Sequence, residues 1–477
     1  MEGKVRKKKN LWNFADYLEG DKVVWIIVIL LILFSIVAIF SSTSQITFNG
    51  STSRMEIVGE QLILSAAGLA LILICCKIPK IGFFSVISQL GYVASMIPLL
   101  LLVIANAQSN DEMKLGFMTV EKINNAWRII RIGGFQFHVF EFVKVAMVMY
   151  VAWAVNALRN DRFLIANILG EKYPIWKKKL TKEIVYIYFP VFSVCLCMMV
   201  GSLSSTLFIG AILIATFLIG GVKIRLKELL PVIGIGAALL CICIVINISI
   251  KDESKKIFPH LDTAISRLTE PGLNERLKIM ENSRPYSKEF QDAYDKAKQP
   301  ASALIAIKEG KIIGKGPGKS TQRYVVAIMY EDYMFSFIVE EYGLLGAVIV
   351  LVLYISLLAR GAIIVRNCEN QFAKTAVAGL ILLITGQAMM HIAVNCDIIP
   401  LTGQTLPMVS RGNSSFLMFS IAFGIILSIS KMAKKKIERE AAQADPLVDR
   451  SIKNEASVAS AYENEGQDFG SDDSNNE

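Results

Sequence analysis

The chain has 477 residues, of which 53% are hydrophobic and only 19% charged, with a mean hydropathy of +0.49. A soluble chain of that length is not so apolar, and the composition points to an integral membrane protein. The formal net charge of +9 gathers in short stretches between apolar runs and calls for no nucleic-acid partner.

Residues 1–22 carry Lys4, Arg6, Lys7, Lys8 and Lys9 and then Trp12, which reads as a cytoplasmic basic tail and a short interfacial helix with the indole at headgroup level. Apolar segments follow at 23–40, 57–76, 84–105, 136–157, 184–201, 203–221, 229–250, 333–358, 373–396 and 413–430. Each is close to the roughly 20 residues that cross a bilayer as a helix, so the expected fold is an all-α integral membrane protein of about ten spans. No small-residue cleavage site follows the first run, which therefore reads as a span and not as a signal peptide. The membrane domain is placed at 23–431. A long extracytoplasmic loop at 251–332 joins its seventh and eighth spans.

Lysine and arginine set the orientation. With a cytoplasmic N-terminus, the inner loops hold Lys77 and Lys80, the cluster from Arg159 to Lys182, then Lys223, Arg225 and Lys227, Arg360 and Arg366, and the run from Lys431 to Lys436. The short loop at 41–56 holds only Arg54. Both termini are therefore expected inside. Two outer segments are longer or more charged: 106–134, with Arg128 and Arg131, and 251–332, where short surface helices are expected over 257–273 and 274–280. Residues 432–477 read as a cytoplasmic, largely disordered tail, polar and without apolar period over their last part.

Most of the eight cysteines sit inside apolar runs and read as packing residues, and three histidines assemble no recognisable Cys/His metal site. Three polar features remain. Glu141 and Lys144 share a helix face at i, i+3 and read either as a structural ion pair or as the lining of a polar cavity. The stretch 395–415 (NCDIIPLTGQTLPMVSRGNSS) offers glycines, Arg411, Ser410, Ser414 and Ser415 between two spans. Irregular backbone at that depth is tolerated where it is buried in protein or lines a wet cavity. The stretch 308–346 runs from a glycine-rich basic loop into Glu331 and Asp332 and then a span bearing Glu340 and Glu341. Such a set suits a substrate with a lipid tail, a phosphate and a sugar or peptide head. It equally suits a transporter with a carboxylate at the midplane.

These motifs resemble the SEDS family (shape, elongation, division and sporulation), whose members include FtsW, RodA and SpoVE, over about 20–435. The family's PxTGxxLPFxSYGGSS signature stands here as the run from Pro400 to Ser415, with Thr402, Gly403 and Pro407 in place. Asp332-Tyr333-Met334-Phe335 and Glu340-Glu341-Tyr342-Gly343 resemble its acidic motif, and Gly310, Gly314, Gly316, Gly318 and Ser320 its glycine element. The opening residues look most like FtsW of Bacteroidetes-type bacteria. The family's Gln-Pro-Ser-Glu is His138-Val139-Phe140-Glu141 here, its upstream arginine is Gln136, its Tyr-Gly-Gly is Arg411-Gly412-Asn413, and its Pro-Asp-Leu-Gly-Thr is Ser202 to Thr206 without the acid.

The resemblance implies a peptidoglycan glycosyltransferase of the bacterial inner membrane that polymerises lipid II at the outer face. It would work with a class B penicillin-binding transpeptidase and other division proteins, with a septal leaning. It implies Asp332 as general base, with Glu331 as the alternative acid. Cations drawn from Arg54, Arg128, Lys319, Arg323 and Arg411, together with a divalent cation such as Mg or Mn, would hold the diphosphate. No organic cofactor is expected. Glu141, Lys144, Ser414 and Ser415 would line the substrate site, and Glu340, Glu341, Gly343, Pro400, Thr402, Gly403 and Pro407 would orient it. A lipid II flippase and a non-catalytic division scaffold are the alternatives.

Overall fold

The structure is a computed structural model that describes residues 18–42, 54–78, 80–106, 112–123, 126–221, 272–326 and 329–444. The helices follow the apolar runs. In chain order they are α1 (Lys22–Ser42), α2 (Arg54–Lys77), α3 (Ile81–Gln89), α4 (Gly91–Asn106), α5 (Val139–Arg159), α6 (Leu164–Lys172), α7 (Lys179–Met199, with one π turn at Ile184–Tyr188), α8 (Leu203–Ile219), α9 (Leu273–Asn282), α10 (Lys288–Gly310), α11 (Met334–Asn367), α12 (Gln371–Asn395) and α13 (Asn413–Ala444). Counting α3 and α4 as one, eight are long and apolar enough to cross a membrane, and α8 is a shorter apolar helix. Together they account for nine of the ten expected spans. The expected span at 229–250 lies outside the described residues, as do the basic tail and Trp12, the expected helix over 257–271 and most of the C-terminal tail.

Helices α5, α12 and α13 are the most enclosed spans. Close approach replaces hydrophobic segregation as the packing device, because lipid is as apolar as the side chains it surrounds. A Cβ on Gly68 of α2 would stand 2.6 Å from both Phe416 and Ser420 of α13, and one on Gly424 of α13 would stand 2.6 Å from Cys75. All six described cysteines are free thiols, and Cys75 and Cys76 pack at this seam.

Two elements depart from the sequence reading. Residues 112–138 form a four-stranded antiparallel meander, β1 (Glu112–Leu115), β2 (Met118–Ile123), β3 (Ala126–Ile132) and β4 (Phe135–His138). The span expected from 136 accordingly begins at Val139, because Phe135 to His138 pair with Ile129 to Ile132 across a two-residue Gly133-Gly134 turn. The second departure is α10, a 23-residue helix in the long loop where only short ones were expected. Ser287 caps it by accepting from the Phe290 amide at 3.2 Å, and it runs on through Pro300.

Candidate functional site

The turn leading into α11 is fixed through its backbone. Arg411 donates its amide to the Tyr330 carbonyl at 3.0 Å, Ser410 Oγ donates to the Glu331 carbonyl at 2.8 Å, and Asn395 Nδ2 donates to the Asp332 carbonyl at 3.1 Å. Asn395 also accepts from the Ser336 amide at 2.9 Å, so one buried amide ties the end of α12 to the start of α11. Glu331 and Asp332 line a cavity of about 150 Å³.

That cavity also takes Arg128 from β3, His138 from β4, Phe140 and Glu141 from α5, Ser205 from α8, and Gly403, Gln404, Thr405, Arg411, Gly412 and Ser415 from the last signature stretch. Seven candidate site residues singled out from sequence thus meet in one place: Asp332, Glu331, Arg128, Glu141, Gly403, Arg411 and Ser415. Arg128 Nε donates to the Gly201 carbonyl at 3.0 Å, and Arg411 pairs with Glu60 at 2.8 Å while lying over the Tyr330 ring at 5.7 Å. Beneath the cavity, Lys144 is 1% exposed and donates to Glu141 at 2.8 Å, to Gln387 at 2.6 Å and to Gln404 at 2.9 Å. Ser414 is buried just behind the wall, accepting the His138 amide at 2.9 Å.

The charges in the cavity perturb one another. Burial, and after it the charge of Asp332, pushes the Glu331 carboxyl up to about 7, against an opposing pull from Arg411. Burial holds the His138 imidazole below its ordinary range; Glu141 opposes that, while Arg128 and Lys144 add to it. A neutral imidazole and a half-protonated carboxyl therefore stand beside Asp332 at neutral pH. Among the described residues, no group of three or more His, Cys, Asp or Glu side chains gathers to hold a metal ion.

The glycine-rich loop turns its backbone amides onto the first part of α11. Glu340 Oε1 accepts from the Thr321 amide at 2.8 Å and from Lys315 Nζ at 2.8 Å, and Glu341 Oε1 accepts from the Gly318 amide at 3.0 Å and from Ser41 of α1 at 2.6 Å. The loop's donors are thus directed at two carboxylates of its own chain. Arg323 is buried against the same cluster, donating to the Ser41 and Gly318 carbonyls and standing 3.8 Å from Glu341. Lys319 is exposed on the loop, and neither it nor Arg323 lines the cavity. Gly343 interrupts α11 at φ +68°, and Gly314 faces it at φ +88°; a Cβ on either would fall 2.2–2.3 Å from a carbonyl of the other segment.

The remaining expected site residues are dispersed. Pro407 supplies the carbonyl that accepts from Tyr354, Thr402 is half-buried with its hydroxyl shielded from solvent, and Pro400 lines a separate cavity. Arg54 opens α2, and its side chain lies outside the described residues. Sequence reading passed over Gln404 and Gln387, although two glutamines within or beside apolar spans are a signal of a buried polar partner.

The family model for the FtsW/RodA/SpoVE cell cycle proteins matches residues 21–435. The chain belongs to the FtsW/RodA/SpoVE family. A relative from Marinobacter nauticus, named probable peptidoglycan glycosyltransferase FtsW, is 27% identical over 432 residues, covering 90% of this chain and 92% of that one. In fold the chain is similar to a subunit of a peptidoglycan synthase complex that coordinates polymerization and crosslinking (TM-score 0.54, 18% identity, covering 86% of this chain and 98% of that one). It is similar again to the rod shape determining protein RodA of Thermus thermophilus (TM-score 0.50, 17% identity, covering 87% and 98%). Four departures of this FtsW/RodA/SpoVE member from its family's pattern, His138, Phe140, Ser205 and Arg411, line the cavity, whereas Gln136 pairs across the hairpin with Arg131.

Proposed function

We propose that this multi-pass membrane protein is a peptidoglycan glycosyltransferase that polymerises lipid II, with Asp332 as the general base. The observation that carries the reading is the convergence of Asp332 with Arg128 and Arg411, from three distant parts of the chain, in one polar cavity. In the reaction a sugar hydroxyl of one lipid-linked unit attacks the anomeric carbon of another and expels undecaprenyl diphosphate. A carboxylate positioned at the cavity takes the hydroxyl proton as the new bond forms. The two guanidiniums hold the diphosphate, whose neutralised charge makes it a competent leaving group without a general acid. Glu141 and Ser415 line the sugar's path, and Lys144 fixes Glu141. A class B transpeptidase is the partner that fits a polymerase of this kind, and the division septum is its proposed site of action.

Glu331 supports a second assignment of the base, because a carboxyl near 7 matches the operating pH better than an ordinary one. Both assignments are settled by lipid II polymerisation with purified chain, with and without the transpeptidase. Asp332→Asn is expected to retain membrane insertion and lose roughly 10²–10⁴-fold in rate, or about 3–5 kcal/mol of barrier. An unchanged rate in Asp332→Asn together with loss in Glu331→Gln would transfer the role. Lipid II translocation without any glycan product from reconstituted wild type would replace the polymerase with a flippase.

A further inference from the structure

A second, larger cavity of about 410 Å³ lies between α9, α10 and the turn at 397–401. We propose that it receives the charged peptide stem of the lipid-linked substrate while the substrate's sugar stands at Asp332; this rests on the glycosyltransferase reading above. The two cavities share a wall. Glu331 and Asp332 line the first and Tyr333 the second, while Gly403 to Thr405 line the first and Pro400 and Leu401 the second. A substituent on a sugar held at Asp332 therefore has only this wall to pass. A peptide of a few residues, at about 3.3–3.6 Å per residue when extended, reaches roughly 10–17 Å.

The lining selects the ligand class. It offers two cations, Arg276 and Lys296, and two carboxylates, Asp295 and Asp397. A diphosphate would be repelled by the carboxylates, and an acyl chain would strip water from four charged side chains, of which Arg276 already acts on Asp397. A peptide bearing both amine and carboxylate groups meets each sign with its complement. The size falls within the roughly 300–1,000 Å³ of ordinary ligand sites. Arg276 Nη1 donates to the Lys296 carbonyl at 2.8 Å, tying α9 to α10 at the cavity and holding the guanidinium in place before any ligand arrives. Asp397 sits at φ +56°, a left-handed backbone that aspartate tolerates better than most residues, and this aims the turn at the two helices.

The test uses the full-length chain in detergent, titrated with a water-soluble muramyl peptide carrying the whole stem and with the same sugar stripped of its peptide. The peptide form is expected to bind about tenfold more weakly to Arg276→Glu than to wild type, with no change for the stripped sugar. Asp397→Asn, which barely changes shape, should weaken the peptide form about two- to fivefold and guards against misfolding of the charge reversal. Equal peptide binding by wild type and both variants overturns the proposal, as does a parallel loss for peptide-bearing and stripped sugars. Peptide binding that persists in a wild type unable to polymerise lipid II would remove the glycosyltransferase reading and leave the peptide site standing.

Discussion

Lys144 is buried at 1% exposure and exchanges its hydration for Glu141, Gln387 and Gln404. Removing only the ammonium strands a carboxylate and two amides, so Lys144→Ala is expected to cost about 3–5 kcal/mol, read as lowered thermal stability in detergent. The paired change Lys144→Met with Glu141→Gln should cost less, because neither charge is then left alone. Glu331 supplies the pH dependence at this scale. Its carboxyl holds a proton up to about pH 7 in the folded chain but only to about 4.5 when exposed. The folded state thus binds the extra proton between those values, and stability falls as pH rises through them, with the full loss present above 7. Glu331→Gln should melt above wild type at pH 8, by the equivalent of roughly 1–3 kcal/mol, and with it at pH 4.5. Parallel melting curves at all pH values would contradict this burial of the carboxyl.

Among the elements, α11 and the loop before it behave as one unit. Gly343→Ala places a Cβ 2.3 Å from the Ile312 carbonyl at a backbone angle that alanine rarely adopts, so it should detach the loop from Glu340 and Glu341. Faster proteolysis within 311–321, with little change at the cytoplasmic lysines, is the expected readout. The apolar spans were legible from sequence because a bilayer demands a run of about 20 residues, and each run carries its own signal. The sheet was not read, although RIIRIGGFQFH has alternating residues either side of a Gly-Gly turn; its last three residues were absorbed into the following apolar run. Helix α10 was missed because its polar face and Pro300 break the apolar pattern, while its buried positions are alanines such as Ala293, Ala297, Ala303 and Ala306. At the site, Asp332, Arg128, Glu141 and Arg411 were legible as charges at the ends of spans. The inward turn of Glu340 and Glu341 onto the glycine loop was not, because it depends on where α11 bends.

For the whole molecule, the distribution of Lys and Arg leads us to expect both termini and the Lys431–Lys436 run on one side of the membrane, opposite α9 and α10. Single cysteines introduced at exposed Lys288 and Lys434 should label from opposite faces of oriented vesicles, and labelling from the same face would reverse the expected topology. Near the Lys431 end, Asp21 pairs with Arg360 at 2.6 Å and accepts no less from its own helix start, tying α1 to α11. Ser430 Oγ accepts the Asp21 amide at 2.9 Å and brings α13 into the same knot.

The cavity's separations in sequence bear on how the protein is made. Lys144 reaches Gln404 across 260 positions and the His138 amide reaches Ser414 across 276. Spans enter the membrane one after another during synthesis, so Lys144 is inserted long before Gln387 and Gln404 exist. Until then its charge has only Glu141 for company. A nascent chain must therefore carry half of its polar centre unfinished through most of its insertion, and the site closes as a late, cooperative event when α12, the signature stretch and α13 arrive.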